Sequence, residues 1–139
     1  MSRAVLTFSP DDAPNQVALL RLVVETPSFS GVGEAWAWID PIQQFADRLL
    51  QFPISNDKPP ELIFGYGLQR VDDRVLSLKI IADDQRGTLR VIANVSDYAD
   101  RMSKLTTHFE THYPDVERFQ RQLISMITGQ RTEAVLDGS

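Results

Sequence analysis

Apolar residues recur along this chain with two periods, and the switches between them mark out its elements. From Gln16 to Glu25 the run is rich in Val and Leu. Val17, Leu19 and Val23 share one face of an extended chain, and Ala18, Leu20, Leu22 and Val24 share the other. That predicts a strand buried on both faces for part of its length. Phe29 to Trp38 follows as its hairpin partner, with the turn near Thr26-Pro27. Trp36 and Trp38 are two apart, so in a strand they point to the same side. The period then becomes helical. Ile42, Phe45, Ala46, Leu49 and Leu50 form one apolar stripe, with Gln43, Gln44, Asp47, Arg48 and Gln51 opposite. Asp40 suits the N-cap, Pro41 the first helical position and Gln43 a capping box. The helix is expected to end near Phe52, because Pro53 disfavours helical geometry in the residue before it.

The middle returns to alternation. Glu61 to Tyr66 reads as a short strand. Arg74 to Ala82 sets Leu76, Leu78, Ile80 and Ala82 against Ser77 and Lys79, and Thr88 to Ser96 sets Leu89, Val91, Ala93 and Val95 against Arg90 and Asn94. Asp83-Asp84-Gln85-Arg86-Gly87 joins these two as a hairpin turn, with Gly87 free to take positive φ. Lys104 to Thr111 alternates Leu105, Thr107 and Phe109 with Thr106, His108 and Glu110, a half-buried strand. A second helix begins at Pro114. It carries Val116, Phe119, Leu123, Ile124 and Ile127 on one stripe, has Asp115 and Glu117 in its first turn, and stops at Gly129. The polar end, 130–139, is expected to fray. No internal repeat is visible. The predicted class is α+β, a single domain over residues 1–139 with the order β-β-β-α-β-β-β-β-α. Short turns join the strands, so one mainly antiparallel sheet of six to seven strands is expected against two packed helices.

Composition narrows the chemistry. The chain has 139 residues, 42% of them apolar and 24% charged, an ordinary globular balance able to bury a core. There is no cysteine, which excludes disulfides, thiolate catalysis and thiolate-ligated metals and suits a cytoplasmic location. No segment has the apolar length of a membrane-spanning helix, so no membrane partner is expected. The formal net charge is −5 and the basic residues are scattered, a poor footprint for nucleic acid.

Catalytic signatures are missing. His108 and His112 are the only histidines; along a strand their side chains lie about 13 Å apart, too far to share one ion. The adjacent pairs Asp11-Asp12, Asp72-Asp73 and Asp83-Asp84 fall in predicted turns, where aspartates bond their own backbone. No Gly-x-Ser-x-Gly elbow occurs, and neither Gly31-Val32-Gly33 nor Gly65-Tyr66-Gly67 has the third glycine of a dinucleotide loop. No catalytic residue, metal or cofactor is therefore expected. The aromatic set Trp36, Trp38, Phe64 and Tyr66 is either a core patch between sheet and helix or a partly exposed recognition surface.

Four stretches together resemble bacterial proteins of the WapI-like immunity type and their relatives. They are Leu19 to Val24 with Gly33 to Trp36, the helix ending Phe45-Ala46-Asp47-Arg48-Leu49-Leu50, Leu76 to Asp83 with Gly87 to Val91, and Leu105 to Ile127. The likeness is one of element order and apolar pattern over about residues 17 to 128. It implies an antiparallel sheet with packed helices and a non-enzymatic task, the binding and neutralising of a toxin domain. It transfers no site residue. The expectation is a protein-interaction domain. Its candidate contacts are the turn acids Asp72, Asp73, Asp83 and Asp84, facing a basic partner, with Trp36 and Tyr66 if exposed. A small-ligand domain is the alternative, with a pocket lined by Trp36, Trp38, Phe64 and Tyr66 between sheet and helix. The oligomeric state stays open.

Overall fold

Two tight turns organise the chain as its residues predict. Thr26 N–H donates to Phe29 O at 2.7 Å and closes the first hairpin turn. Gly87 takes φ +94° in the second. The computed structural model describes residues 1–10, 17–65, 74–84, 86–97 and 103–139. Its elements run β1 (Ser2–Pro10), β2 (Val17–Glu25), β3 (Ser30–Trp38), α1 (Ile39–Arg48), β4 (Glu61–Gly65), β5 (Arg74–Ala82), β6 (Thr88–Ser96), β7 (Lys104–His112), α2 (Tyr113–Ile127) and β8 (Glu133–Gly138). The class is α+β and the expected order holds, with one strand added at the end.

That added strand is a correction. The end expected to fray supplies β8, which buries Ala134 and Leu136 completely. Its middle N–H, on Val135, donates to the Gln122 side chain of α2 at 2.8 Å. The single sheet is a second correction. The strands form two antiparallel four-stranded sheets, β3-β2-β1-β8 and β4-β5-β6-β7. Each presents one apolar face inward, and the helices pack with them around one core of Leu6, Leu20 and Leu22 from one sheet, Leu76, Leu78 and Leu89 from the other, and Ile42, Phe45, Phe119 and Leu123 from the helices. Helix α1 also starts earlier than expected. Trp38 is its N-cap, without a side-chain cap bond, so Asp40 lies in the first turn, and Gln43 bonds Asp47 rather than closing a capping box.

The chain is also a repeat, which its residues conceal. Each half reads β-β-β-α-β. The pair Val17–Trp38 across β2 and β3 has its counterpart in Thr88–His112 across β6 and β7. Ala4–Val24 corresponds to Leu76–Val95, and Thr7–Glu133 to Lys79–Glu61. Strands β3 and β7 have identical burial patterns, and each runs directly into a helix. Ile42, Phe45 and Leu49 of α1 match Val116, Phe119 and Leu123 of α2. The counterparts Phe45 and Phe119 touch edge to face at 6.4 Å between centroids. Contact between a residue and its own counterpart is what a two-fold relation between the halves produces. The last strand of each half is exchanged: β4 pairs with β5 of the second half, and β8 with β1 of the first.

Candidate functional site

Alternation along each strand sends every second side chain outward, and the outward faces of the two sheets differ sharply. On the first sheet, Val32, Val23, Val5 and Val135 lie in register across all four strands. One row away on one side lie Ser30, Glu25, Arg3 and Asp137; on the other lie Glu34, Arg21, Thr7 and Glu133. Ion pairs bind Arg3 to Glu25 (3.2 Å) and Arg21 to Glu34 (3.7 Å). Beyond them Trp36 sits opposite Leu19, and Trp38 follows. Trp36 is 59% exposed and Trp38 56%. Against these residues the inward side of β3 carries Gly31, Gly33, Ala35 and Ala37. A Cβ on Gly33 would lie 2.9 Å from the Val75 carbonyl oxygen, so β3 is pressed closely onto the second sheet and its bulk is left for the outside.

The second sheet fills three of the four valine-row positions with polar residues, while Val75, Ile81 and Ile92 stand elsewhere on the same side. Its counterpart of the valine row is Ile63, Ser77, Asn94 and Thr106. Thr106 Oγ1 donates to Asn94 Oδ1, and Asn94 Nδ2 donates to Ser77 Oγ at 3.0 Å. Where the first sheet has Leu19 and Trp36, the second has Arg90 and Glu110. Arg90 bonds Asp83 at 2.8 Å, the His108 Nδ1 at 2.8 Å and, at 3.7 Å, Glu110. The guanidinium requires a lone pair on that nitrogen, so in this arrangement the His108 proton is on Nε2.

The predicted contacts distribute unevenly. Trp36 is on the open face. Asp83 is engaged by Arg90, whose hydrogen bond holds its carboxyl below the usual carboxylate range. Asp84 turns back on its own loop. One oxygen accepts the N–H of Arg86 at 2.8 Å and of Thr88 at 3.1 Å, and these bonds hold its carboxyl low. Both acids thus do the local work of a turn. Tyr66, Asp72 and Asp73 lie outside the described residues. The described aromatics do not converge on one pocket: Phe64 is 7% exposed and faces inward from β4, whereas the tryptophans face out.

Sequence reasoning missed the valine row. It took the double-sided apolar pattern of β2 as burial on both faces. Instead Leu19 and Val23 are only half buried, and their face carries no covering element among the described residues. The available signal was the same double-sided pattern: a strand that is apolar on both faces has a second surface to cover. No protein-family model matches the chain, and no curated protein matches it.

Proposed function

We propose that this chain is a non-enzymatic protein-interaction domain that works through the outward face of the β1–β2–β3–β8 sheet. The supporting observation is the contrast within the repeat. The same backbone positions carry Glu110 and His112 in one half and Trp36 and Trp38 in the other. Large aromatics held half in water supply area and a polar edge at low entropic cost, as contact hot spots do. A ligand pocket has less support, since Phe64 is buried in the core while Trp36 and Trp38 face out.

The partner class implied by the resemblance to WapI-like immunity proteins is a bacterial toxin domain, which this face would block sterically. Asp83 and Asp84 have little left to offer such a partner, because each is engaged within its own hairpin.

The test compares three baits in pull-downs from native lysate: the unaltered chain, Trp36→Ser/Trp38→Ser, and the counterpart control Glu110→Ser/His112→Ser. The expected result is a polypeptide recovered by the first and third baits and lost with the second. Expressed alone, that polypeptide should be toxic, and co-expression of the unaltered chain should relieve it. Recovery by all three baits would remove the face from the contact.

A further inference from the structure

We propose that β3 takes up an extended segment of a partner polypeptide as a further strand of the first sheet, added antiparallel along its outer edge. The segment is apolar at alternate outward positions, with a Lys or Arg between them that meets Glu34. This rests on the reading of the first sheet as a contact surface, and it names how the partner is held and what chemistry it brings.

The backbone points there first. Thr26 N–H bonds Phe29 O, so Thr26 and Phe29 form a hydrogen-bonded pair, and such pairs alternate with non-bonded ones along an antiparallel ladder. Counted in twos through the β2–β3 register, Gly31, Gly33, Ala35 and Ala37 direct their N–H and C=O groups to β2. Ser30, Val32, Glu34, Trp36 and Trp38 direct theirs away from it, and no described residue bonds them. The same count on β7, starting from the Asp97 N–H bond to Ser103 O, directs the Glu110 groups away from β6. There the C=O of Glu110 accepts the N–H of Ser139 at 2.9 Å. Glu110 is the counterpart of Trp36, so the residue following β8 occupies on β7 the kind of edge position that β3 leaves open.

The other edges are blunted. The Val135 N–H of β8 is bonded by Gln122, β4 is five residues long with a register shift at its end, and β7 carries Lys104 besides its bond to Ser139. Strand β3 is nine residues in unbroken register, without Pro or Lys. An edge of that length and regularity is a template for another strand.

Its side chains set the chemistry of the segment. Val32 and Trp36 each have an apolar neighbour on β2, Val23 and Leu19 respectively, yet remain 43% and 59% exposed. Apolar side chains on an added strand would cover both as cross-strand pairs. Between them Glu34 is the single charge on β3, with Arg21 of β2 at 3.7 Å, and the exposed Asp40 follows in α1. The edge strand is acidic, and a cation at the alternate position of the segment is its complement. Main-chain bonds give such an addition its hold, and alternate side chains give it selectivity.

Two measurements on the full chain test this. In the free chain, amide exchange followed by NMR should be at least about tenfold faster at Val32, Glu34 and Trp36 than at Gly33 and Ala35. Slow exchange at the first three would mean that the edge is already paired, and overturns the proposal. The second measurement is titration with the synthetic peptide Ser-Val-Thr-Lys-Thr-Val-Ser, blocked at both ends. It is expected to bind at about 0.1–1 mM and to slow exchange at those three amides. The same peptide N-methylated at its Val and Lys residues cannot donate to the edge and should not bind. Replacing its Lys by Glu should weaken binding about tenfold, and Glu34→Lys in the chain should reverse that preference. Val32→Pro removes an edge N–H that β2 does not use, so the circular dichroism spectrum should be unchanged and peptide binding lost. No binding of the peptide, or equal binding of its N-methylated form, overturns the proposal. A captured polypeptide lost with the Trp36→Ser/Trp38→Ser bait but kept by a folded Val32→Pro bait removes the strand addition and leaves the contact surface standing. If both baits keep it, both readings fall.

Discussion

Where β2 carries Val23, β6 carries Asn94; where β3 carries Trp36, β7 carries Glu110. The two halves follow one plan, strand for strand and in matched register. Their core-facing positions are mostly apolar in both halves though exchanged in size, and their outward positions differ in chemistry. The second half shows what the plan requires on its outward side: hydrogen-bonded polar ladders and charges that keep an edge strand from pairing with others. The first half keeps charges in the rows on either side, but fills the row of the polar ladder with valines. Its outward valines and tryptophans are therefore not demanded by the shared plan of the fold.

This comparison can be broken most forcefully at its centre. Phe45→Ala and Phe119→Ala should each cost about 3–5 kcal/mol in denaturant unfolding, and by similar amounts; a large disparity would show that the halves do not share the core equally. Gly33→Val should cost about 1–3 kcal/mol by overpacking against Val75 and Val95. Its counterpart Thr107→Val should cost less, because that strand already holds a β-branched side chain. On the outward faces the asymmetry should reverse. Asn94→Val strands the hydroxyl of Ser77, which is 1% exposed, and should cost about 1–3 kcal/mol. Val23→Asn, its mirror, should change the unfolding free energy of the monomer by no more than about 0.5 kcal/mol, as should Trp36→Ser with Trp38→Ser.

The smallest expected effect is electrostatic. Hydrogen bonds to the folded chain hold the Asp84 carboxyl below its usual value of 3.8. The stabilisation of the turn is thus present above that value and lost as pH falls through the lowered one. In NMR spectra the amide shifts of Arg86 and Thr88 should move together on acidification below about pH 3.8, and Asp84→Ala should abolish that movement.

Much of the fold was legible because alternation is a strong signal where polar and apolar residues take strict turns. Strands β5 and β6 begin and end at the residues where their patterns do. The open face was not, for a reason visible in β3. Its inward residues are Gly31, Gly33, Ala35 and Ala37, too small to read as an apolar stripe, so the two tryptophans looked like the core stripe themselves. The repeat was hidden by a related exchange of size. Gly31 corresponds to Leu105, Gly33 to Thr107 and Ala35 to Phe109, because β3 lies close against the other sheet and β7 has space to fill. Identity survives at few positions, among them Leu6 with Leu78, Val24 with Val95, Phe45 with Phe119 and Leu49 with Leu123. Strand β8 escaped because its apolar run, Ala134-Val135-Leu136, is only three residues long in an otherwise polar end. On the open face, Trp36 was named from its chemistry. The valines could be found only once the register had placed them side by side.

The exchange of final strands has a mechanical consequence. Ser2 lies opposite Gly138 in the β1–β8 ladder, so the two chain termini emerge at the same end of neighbouring antiparallel strands. A load applied between them would open that ladder like a zipper, one rung after another, rather than shear all its bonds at once. The domain should therefore yield at low force. The first event would be the withdrawal of β8 from the first sheet, which undoes one of the two clasps between the halves and exposes the edge of β1 while β4, β5, β6 and β7 are still paired.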